Sequence, residues 1–472
     1  MGLAFYNTLS RHKEPFVPLQ PGKASLYVCG VTVYDFCHVG HARSLVFFDS
    51  VARYLRWRGY ALTFVRNITD IDDKIIQRAA ERNEPWEGLA SRFATAMQED
   101  AKALGCLPPD IEPRATGHID EMIEIIQLLE ARGLAYHVGN GDVYFACADY
   151  ARYGELSHRD AEEMLAGARV DVDPRKRSHM DFALWKGAKP GEPSWKSPWG
   201  DGRPGWHIEC SAMSVKYLGQ PFDIHGGGED LIFPHHENES AQSCGASGGD
   251  FVRYWLHHAF VRIDREKMSK SLGNFFTIRD VLAEIEAEGL RLHLLSTHYR
   301  SPLEFSMEGV SESTRALLRA YEALARAEEA GVADPGYTFE SPDVGELVEM
   351  MDDDFNTARA VGVAFDAVRE INRALDAGRP ADARQAVGML RATGAVLGLF
   401  TQPPVPFLDA FRRKRAGSTG VSAEEVEGLI AERVAARKSR NFGRADQIRD
   451  ELAARGVILE DGPAGTTWKL TT

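Results

Sequence analysis

At 472 residues the chain is too long for one hydrophobic core, and two to four domains are expected. Its 44% hydrophobic and 26% charged residues are ordinary for soluble globular protein, and no run of about 18 apolar residues offers a membrane span. A net charge of −14 does not advertise a nucleic-acid binder, yet an acidic protein still holds RNA where one end is basic.

From the N-terminus, Arg11, His12, Lys13 and Glu14 precede any sizeable apolar stretch, so no secretory signal is expected. Residues 26–28 read as a strand running into Cys29 and Gly30. His38-Val39-Gly40-His41 then opens a helix over 42–58, with Leu45, Val46, Phe48, Val51, Ala52 and Leu55 on one face and Gly59 as its stop. Residues 62–65 read as the next strand, and strand–helix–strand order predicts a parallel sheet in a doubly wound α/β domain. A helix over 118–131 with Gly133 behind it follows. The Pro-, Gly-, Trp- and charge-rich stretch at about 157–205 reads as an insertion, after which a second α/β half runs from about 206 to 263. Past residue 311 the pattern changes to long Ala/Leu/Glu/Arg-rich helices up to about 400, the signature of a helical bundle. Pro403-Pro404 and the basic run Arg412-Arg413-Lys414-Arg415 read as a linker. From about 422 two helices and a short hairpin (457–459, 467–470) complete the chain, with Arg433, Arg437, Lys438, Arg440 and Arg444 extending the basic end.

Two strings carry the chemistry. His38 to His41 and Lys267-Met268-Ser269-Lys270-Ser271 each set cationic or protonatable side chains beside glycine or small hydroxyl residues, which suits a polyphosphate. The first lies between a strand and a helix N-terminus, a phosphate-binding context. Together they read as an ATP site built from two distant segments.

The second chemistry is a metal. Six cysteines, Cys29, Cys37, Cys106, Cys147, Cys210 and Cys244, are scattered over a large chain, which predicts a reducing cytoplasm and metal or catalytic use rather than a disulfide frame. Pro234 suits the first turn of a helix, on which His235 and Glu239 stand four apart and can share a cation. Cys210 and Cys29 offer thiolates to complete a zinc tetrahedron. His236 with Glu239, three apart, is a rival pairing that spacing leaves open.

These residues together resemble the cysteinyl-tRNA synthetase family of class I aminoacyl-tRNA synthetases. His38 to His41 match its first signature, Lys267 to Ser271 its second, and the C-terminal stretches 437–446 and Gly465-Thr466-Thr467-Trp468 are similar as well. The resemblance implies a Rossmann-like parallel-sheet catalytic domain over 1–310, with an insertion at about 110–205 and a signature-loop region at about 260–310. An α-helical anticodon-binding bundle over 311–402 and a linker with a small C-terminal α+β RNA-binding domain over 403–472 would follow. It implies one zinc ion per chain on Cys29, Cys210, His235 and Glu239. His38, Gly40, His41 and Lys270 would bind ATP with its Mg²⁺; His38 and His41 would steady the phosphates, while Lys267 and Lys270 neutralise the departing pyrophosphate. Gly30, Thr69, Trp206 and Asp230 would line the cysteine pocket, Trp206 packing on the substrate and Asp230 meeting its ammonium. Thr69 reads equally well as a helix N-cap before Asp72 and Asp73. His207, His225, His257 and His258 would add a histidine-rich wall. The implied partners are L-cysteine, ATP and tRNA, for a cytoplasmic monomer with no membrane association. A cysteine–amino-sugar ligase of the same family would share the zinc and signatures but not need the bundle and basic tail. A non-catalytic RNA-binding relative would not need the intact signatures.

Overall fold

The computed structural model describes residues 2–159, 174–263, 266–267, 275–418, 423–455, 457–462 and 465–470. They fall into two units: 1–315 with 335–367 and 388–399, and 316–334 with 368–387 and 400–472.

In the first unit, β1 (Lys23–Val28), α1 (Val39–Trp57) and β2 (Ala61–Arg66) form one half of an α/β layer. The other half is α2 (Trp206–Leu218), β3 (Phe222–Gly228), α3 (Glu237–Ser247) and β4 (Val252–His258). The four strands pair in parallel in the order β4-β3-β1-β2. Tyr27 on β1 lies opposite Val65 on one side and His225 on the other, which fixes the register. Leu26, Tyr27 and Val28 are all buried, as expected of a strand covered on both faces, so its apolar run is continuous rather than alternating.

The first strand begins three residues before the predicted start, and α1 begins inside the first signature rather than after it. His38 caps that helix, which packs Leu45, Val46, Phe48, Val51, Ala52 and Leu55 against the sheet and ends before Gly59 at φ 90°. The polypeptide leaves β1 toward β2 on one side, while β3 and β4 lie on the other. The loops beyond β1 and β3 therefore diverge and open a crevice at the carboxyl ends of the strands, the place where such sheets bind ligands.

Between the halves, Ala135–His137, Val143–Phe145, Phe182–Gly187 and Gly202–Pro204 form a four-stranded antiparallel sheet. It starts upstream of residue 157: the strands of its first hairpin carry none of the Pro, Gly and Trp bias that marks the rest, and only its turn holds Gly139 and Gly141. An N-terminal hairpin, Ala4–Asn7 with His12–Pro15, was not predicted.

Three other expectations are corrected. Thr69 caps no helix: Asp72 does, its carboxylate accepting from Lys74 N–H at 2.9 Å, while Thr69 is buried. Pro234 is not in the first turn of α3, which starts at Glu237; His235 sits in the wider π turn Ile232–His236 before it. The basic run is not a linker either, since Pro404–Ser418 is a helix whose first residue supplies the preset φ of proline where an N–H is not needed.

In the second unit Tyr321 stacks on Phe407 with centroids 3.9 Å apart, and Arg326 pairs with Asp376 at 2.5 Å. Its C-terminal part, helices Ala423–Lys438 and Phe442–Ala454 with the hairpin Val457–Gly462/Gly465–Leu470, has a core of its own in Val426, Ile448, Leu452, Val457 and Trp468.

Candidate metal and nucleotide centre

Cys29 is the residue at which β1 ends, and its N–H donates to the carbonyl of Gly226 on β3, which ties it to the switch point. Cys210 comes from the first turns of α2, and Glu239 from the first turn of α3. Cys29 Sγ lies 3.6 Å from Cys210 Sγ, 3.4 Å from His235 Nε2 and 3.4 Å from Glu239 Oε1, and His235 Nε2 is 2.9 Å from that same oxygen. Zinc bonds of about 2.3 Å to sulfur and about 2.0–2.1 Å to nitrogen place tetrahedral ligand atoms roughly 3.3–3.8 Å apart, so the three contacts of Cys29 have the right spacing. The His235–Glu239 contact is tighter, as befits a hydrogen bond.

His236 also reaches the cluster, its Nε2 3.3 Å from Cys29 Sγ, but it is 3.9 Å from Glu239 Oε1. Cys29, His225, His236 and Glu239 thus form a second, overlapping set of possible metal donors. His235 hydrogen-bonds Glu239, whereas His236 stands from it at about the spacing of two ligands on one metal.

Outer contacts orient both sets: His236 Nδ1 is 2.7 Å from His257 Nε2, which leaves its Nε2 facing Cys29. His235 Nδ1 is 2.9 Å from His207 Nδ1, which leaves Nε2 facing the cluster, and His225 Nε2 is 2.9 Å from Glu239 Oε2, which leaves Oε1 facing it. Such outer contacts orient metal ligands. Burial pushes His207 well below the usual imidazole range, so it stays neutral and can accept from His235. Against the cost of burial, Glu239 and Cys210 hold His235 up at about 10, and His235 and His225 hold Glu239 well below the carboxylate range. Of the two thiols, burial and the neighbouring Cys210 push Cys29 well up, whereas Cys210, despite burial, is drawn down to about 6 by Cys29 and His235. Two thiols and a carboxylate buried together call for positive charge; a proton on His235 supplies it here, and the donor types and spacing fit zinc in that place.

The other predicted pocket residues gather at the same edge. The Trp206 ring stacks on His235, centroids 4.2 Å apart at 20°. Thr69 Oγ1 is 3.1 Å from Asn67 Nδ2, and Gly30 N–H donates to Asn67 Oδ1 at 2.8 Å. Asp230 is exposed at the end of β3, folded against Gly228, whose added Cβ would come within 2.5 Å of its carboxylate. Asn67 was absent from the predicted set. Its only signal in the sequence is a polar residue directly after a strand, at the carboxyl edge where ligands bind.

His38 and His41 are held as a pair. The backbone N–H of His41 donates to His38 Nδ1 at 3.4 Å, and that of His38 donates to His41 Nδ1 at 3.2 Å, a reciprocal capping box. A nitrogen that accepts carries no hydrogen, so each neutral ring bears its proton on Nε2 and offers an N–H donor. The rings stack with centroids 3.7 Å apart. His41, Cys29, Gly30 and Ser44 line one cleft, so the first signature and the metal donors share a wall.

Lys267 pairs in a short strand opposite Arg262. Residues 268–274, Lys270 among them, lie outside the described residues. Their far flank returns to the first signature: Val39 N–H donates to Phe276 O at 3.1 Å and Ile278 N–H to Cys37 O at 2.9 Å. The segment 276–278, downstream of the second signature, is thereby tethered to the first signature.

Comparisons with known proteins place these features. The family described as tRNA synthetases class I (C) catalytic domain matches residues 15–315, a DALR domain 347–401, and the cysteinyl-tRNA ligase anticodon binding domain 420–468. The chain is 57% identical to the cysteine–tRNA ligase of Alkalilimnicola ehrlichii over 99% of both chains. It is 56% identical to that of Halorhodospira halophila over 99% of this chain and 100% of the other, and 54% identical to that of Geobacter sulfurreducens over the full length of both. Among solved structures, Mycobacterium tuberculosis methionyl-tRNA synthetase in complex with methionyl-adenylate superposes with a TM-score of 0.53 at 20% identity, covering 79% of this chain and 82% of that one. An Agrobacterium radiobacter LeuRS–tRNA–LeuAMS complex reaches 0.60 at 12%, covering 84% and 86%. At these identities the structural likeness bears on fold alone.

Proposed function

Since the chain belongs to the cysteinyl-tRNA synthetase family, the class I enzymes that ligate cysteine to tRNA, we propose that its Cys29–Cys210–His235–Glu239 cluster selects the amino acid. The selection takes place beside an ATP site that joins the two signatures. The observation that carries this reading is the position of Cys29: it is both a donor of the cluster and a lining residue of the cleft that holds His41.

Cysteine must be told from serine, which has nearly the same shape, and an apolar pocket separates isosteres poorly. Zinc bound at the cluster supplies a thiophilic centre at which sulfur is strongly preferred to oxygen. The chain's own part is to hold two thiolates, an imidazole and a carboxylate in place before substrate arrives. Trp206, stacked on His235, packs along the amino acid, and Asp230 takes its ammonium. The cysteine carboxylate attacks the α-phosphorus of ATP to give cysteinyl-adenylate and pyrophosphate, and the terminal ribose hydroxyl of tRNA then attacks the carbonyl carbon, taking the cysteinyl group as AMP leaves with the hydroxyl proton passed to solvent or phosphate. His38 and His41 donate from Nε2 to phosphate oxygens as charge develops there; Gly40 lets the backbone approach, and Lys267 and Lys270 offset the charge of pyrophosphate with Mg²⁺. Residues 1–310 carry this chemistry, 311–402 form the anticodon-binding bundle, and 403–472 add the RNA-binding end. Arg433 is not part of that RNA surface, because it is buried and paired with Asp461 at 2.8 Å; Arg437, Lys438 and Arg440 are exposed and suit phosphates. The match to an anticodon binding domain favours tRNA over an amino sugar as acceptor and over a non-catalytic relative.

ATP–pyrophosphate exchange across the amino acids, followed by tRNA charging, tests the reading. Cysteine alone should support fast exchange, and a zinc-stripped preparation should lose its preference for cysteine over serine. Undiminished selectivity without metal would refute the role of the cluster.

A further inference from the structure

Asn67 sits one residue beyond β2, completely buried, and its carboxamide spans three elements of the site. Oδ1 accepts from Gly30 N–H at 2.8 Å and lies 3.6 Å from Cys210 Sγ on α2, while Nδ2 donates to Thr69 Oγ1 at 3.1 Å. A backbone N–H can only donate, so the bond to Gly30 fixes which end of the amide is oxygen. Nδ2 must then face Thr69. The Thr69 oxygen is used as an acceptor, so its own hydrogen points away from Nδ2. One amide orientation therefore fixes the side on which the Thr69 hydroxyl accepts.

The backbone of Asn67 does a second thing. A Cβ on Gly30 would lie 1.6 Å from the Asn67 carbonyl oxygen, so the tips of β1 and β2 meet with no room between them. The Thr69 carbonyl in turn accepts from Val33 N–H at 3.2 Å, closing the loop after Gly30 onto the loop after β2. Gly30 and Thr69 thus hold fixed positions relative to each other, and both do so through Asn67.

We infer that Asn67 is the positioning residue of the amino-acid pocket. It acts on the substrate through Gly30 and Thr69, setting affinity for cysteine while leaving the ATP contacts of His38 and His41 alone. The inference rests on the reading that Gly30 and Thr69 line the cysteine pocket. A purely structural role predicts a different outcome: general destabilisation, with the constants for both substrates moving together.

The test is steady-state ATP–pyrophosphate exchange with the full-length, zinc-loaded enzyme, comparing wild type, Asn67→Ala, Thr69→Val, Thr69→Ser and the double variant Asn67→Ala/Thr69→Val. Asn67→Ala should raise KM for cysteine roughly tenfold, the effect of one lost directed hydrogen bond. KM for ATP and zinc content should stay within about twofold of wild type. Thr69→Ser, which keeps the hydroxyl, should lose less affinity for cysteine than Thr69→Val, and the double variant should be no worse than Asn67→Ala alone, because both changes remove one arrangement. Equal rises in both KM values, loss of zinc from Asn67→Ala, or additive effects in the double variant would overturn the inference. If Asn67→Ala does not fold, the threonine pair decides: a KM for cysteine unchanged in Thr69→Val overturns it. Wild-type enzyme without cysteine-dependent exchange would instead refute the function itself.

Discussion

His258 shows how burial at the site edge becomes a pH dependence. It ends β4, donates from Nδ1 to the carbonyl of Ala259 at 3.1 Å, and keeps Nε2 buried with no protein partner among the described residues. Burial, helped by the nearby Arg43 charge, draws it down to about 4. In the unfolded chain a histidine takes its proton near 6.5. Below that pH the unfolded state binds a proton the folded state refuses, so stability is complete above about 6.5, falls as pH drops, and stops falling near 4. The loss by pH 5.5 is about 1 kcal/mol from this residue. His207 and the other buried neutral histidines add to the total, so urea unfolding at pH 7.5 and 5.5 should show a larger difference, which His258→Gln should shrink by about 1 kcal/mol; an unchanged difference would mean that other groups set the slope. Among residues, the signatures were legible because they are contiguous strings. Asn67 was not, since its importance lies in touching Gly30 and Cys210, 37 and 143 positions away.

Element by element, the first unit depends on α1 being held from both faces. Its Asp49 is buried and pairs with Arg53 on the same helix, accepts from Leu107 N–H at 2.8 Å, and pairs with the buried Arg291 of the helix Ala287–Leu295. Arg291 also donates to the carbonyls of Leu397 at 2.6 Å and Leu104 at 3.1 Å, so one guanidinium joins three segments to the helix that presents His38 and His41. Arg291→Met keeps the volume but strands Asp49 and two carbonyls. The expected cost is about 3 kcal/mol, read as a lowered denaturation midpoint; a loss under about 0.5 kcal/mol would show that Arg53 and Leu107 satisfy Asp49 unaided. The positions read for β1, α1, β2 and the helix Ile119–Ala131 followed from apolar periodicity to within three residues, whereas helices Asp73–Arg82 and Trp86–Ala103 were not read. The basic helix Pro404–Ser418 did not follow either, because a double proline and a charge run read locally as a breaker, whereas proline at a helix start is tolerated.

For the whole molecule, the division of labour is a question of where the chain can be cut. Phe400 is buried and Tyr321 stacks on Phe407, so ending the chain near 400 would strip the partner of a core aromatic. The last part has its own small core, so a chain ending at 418 removes a self-contained piece. That truncation should leave cysteine-dependent pyrophosphate exchange within about twofold while lowering tRNA charging at least tenfold. Equal loss in both assays would count against an RNA-positioning role for the C-terminal part.

The sequence by itself determined the parallel α/β character of the first unit and both signature strings, because each is encoded in strand–helix–strand periodicity or in one contiguous string. It left His235 and His236 as rivals, since three- and four-residue spacings both bring side chains together on a helix. Tertiary structure brings both within reach of Cys29, at 3.4 Å and 3.3 Å, and keeps both sets of donors. It also brought Cys29 within 3.6 Å of Cys210 across 181 residues, and put Asn67 between Gly30, Thr69 and Cys210. Those contacts depend on β3 pairing beside β1 rather than beside β2. Strand order across a long crossover is set by the packing of the whole sheet, and no local pattern records it.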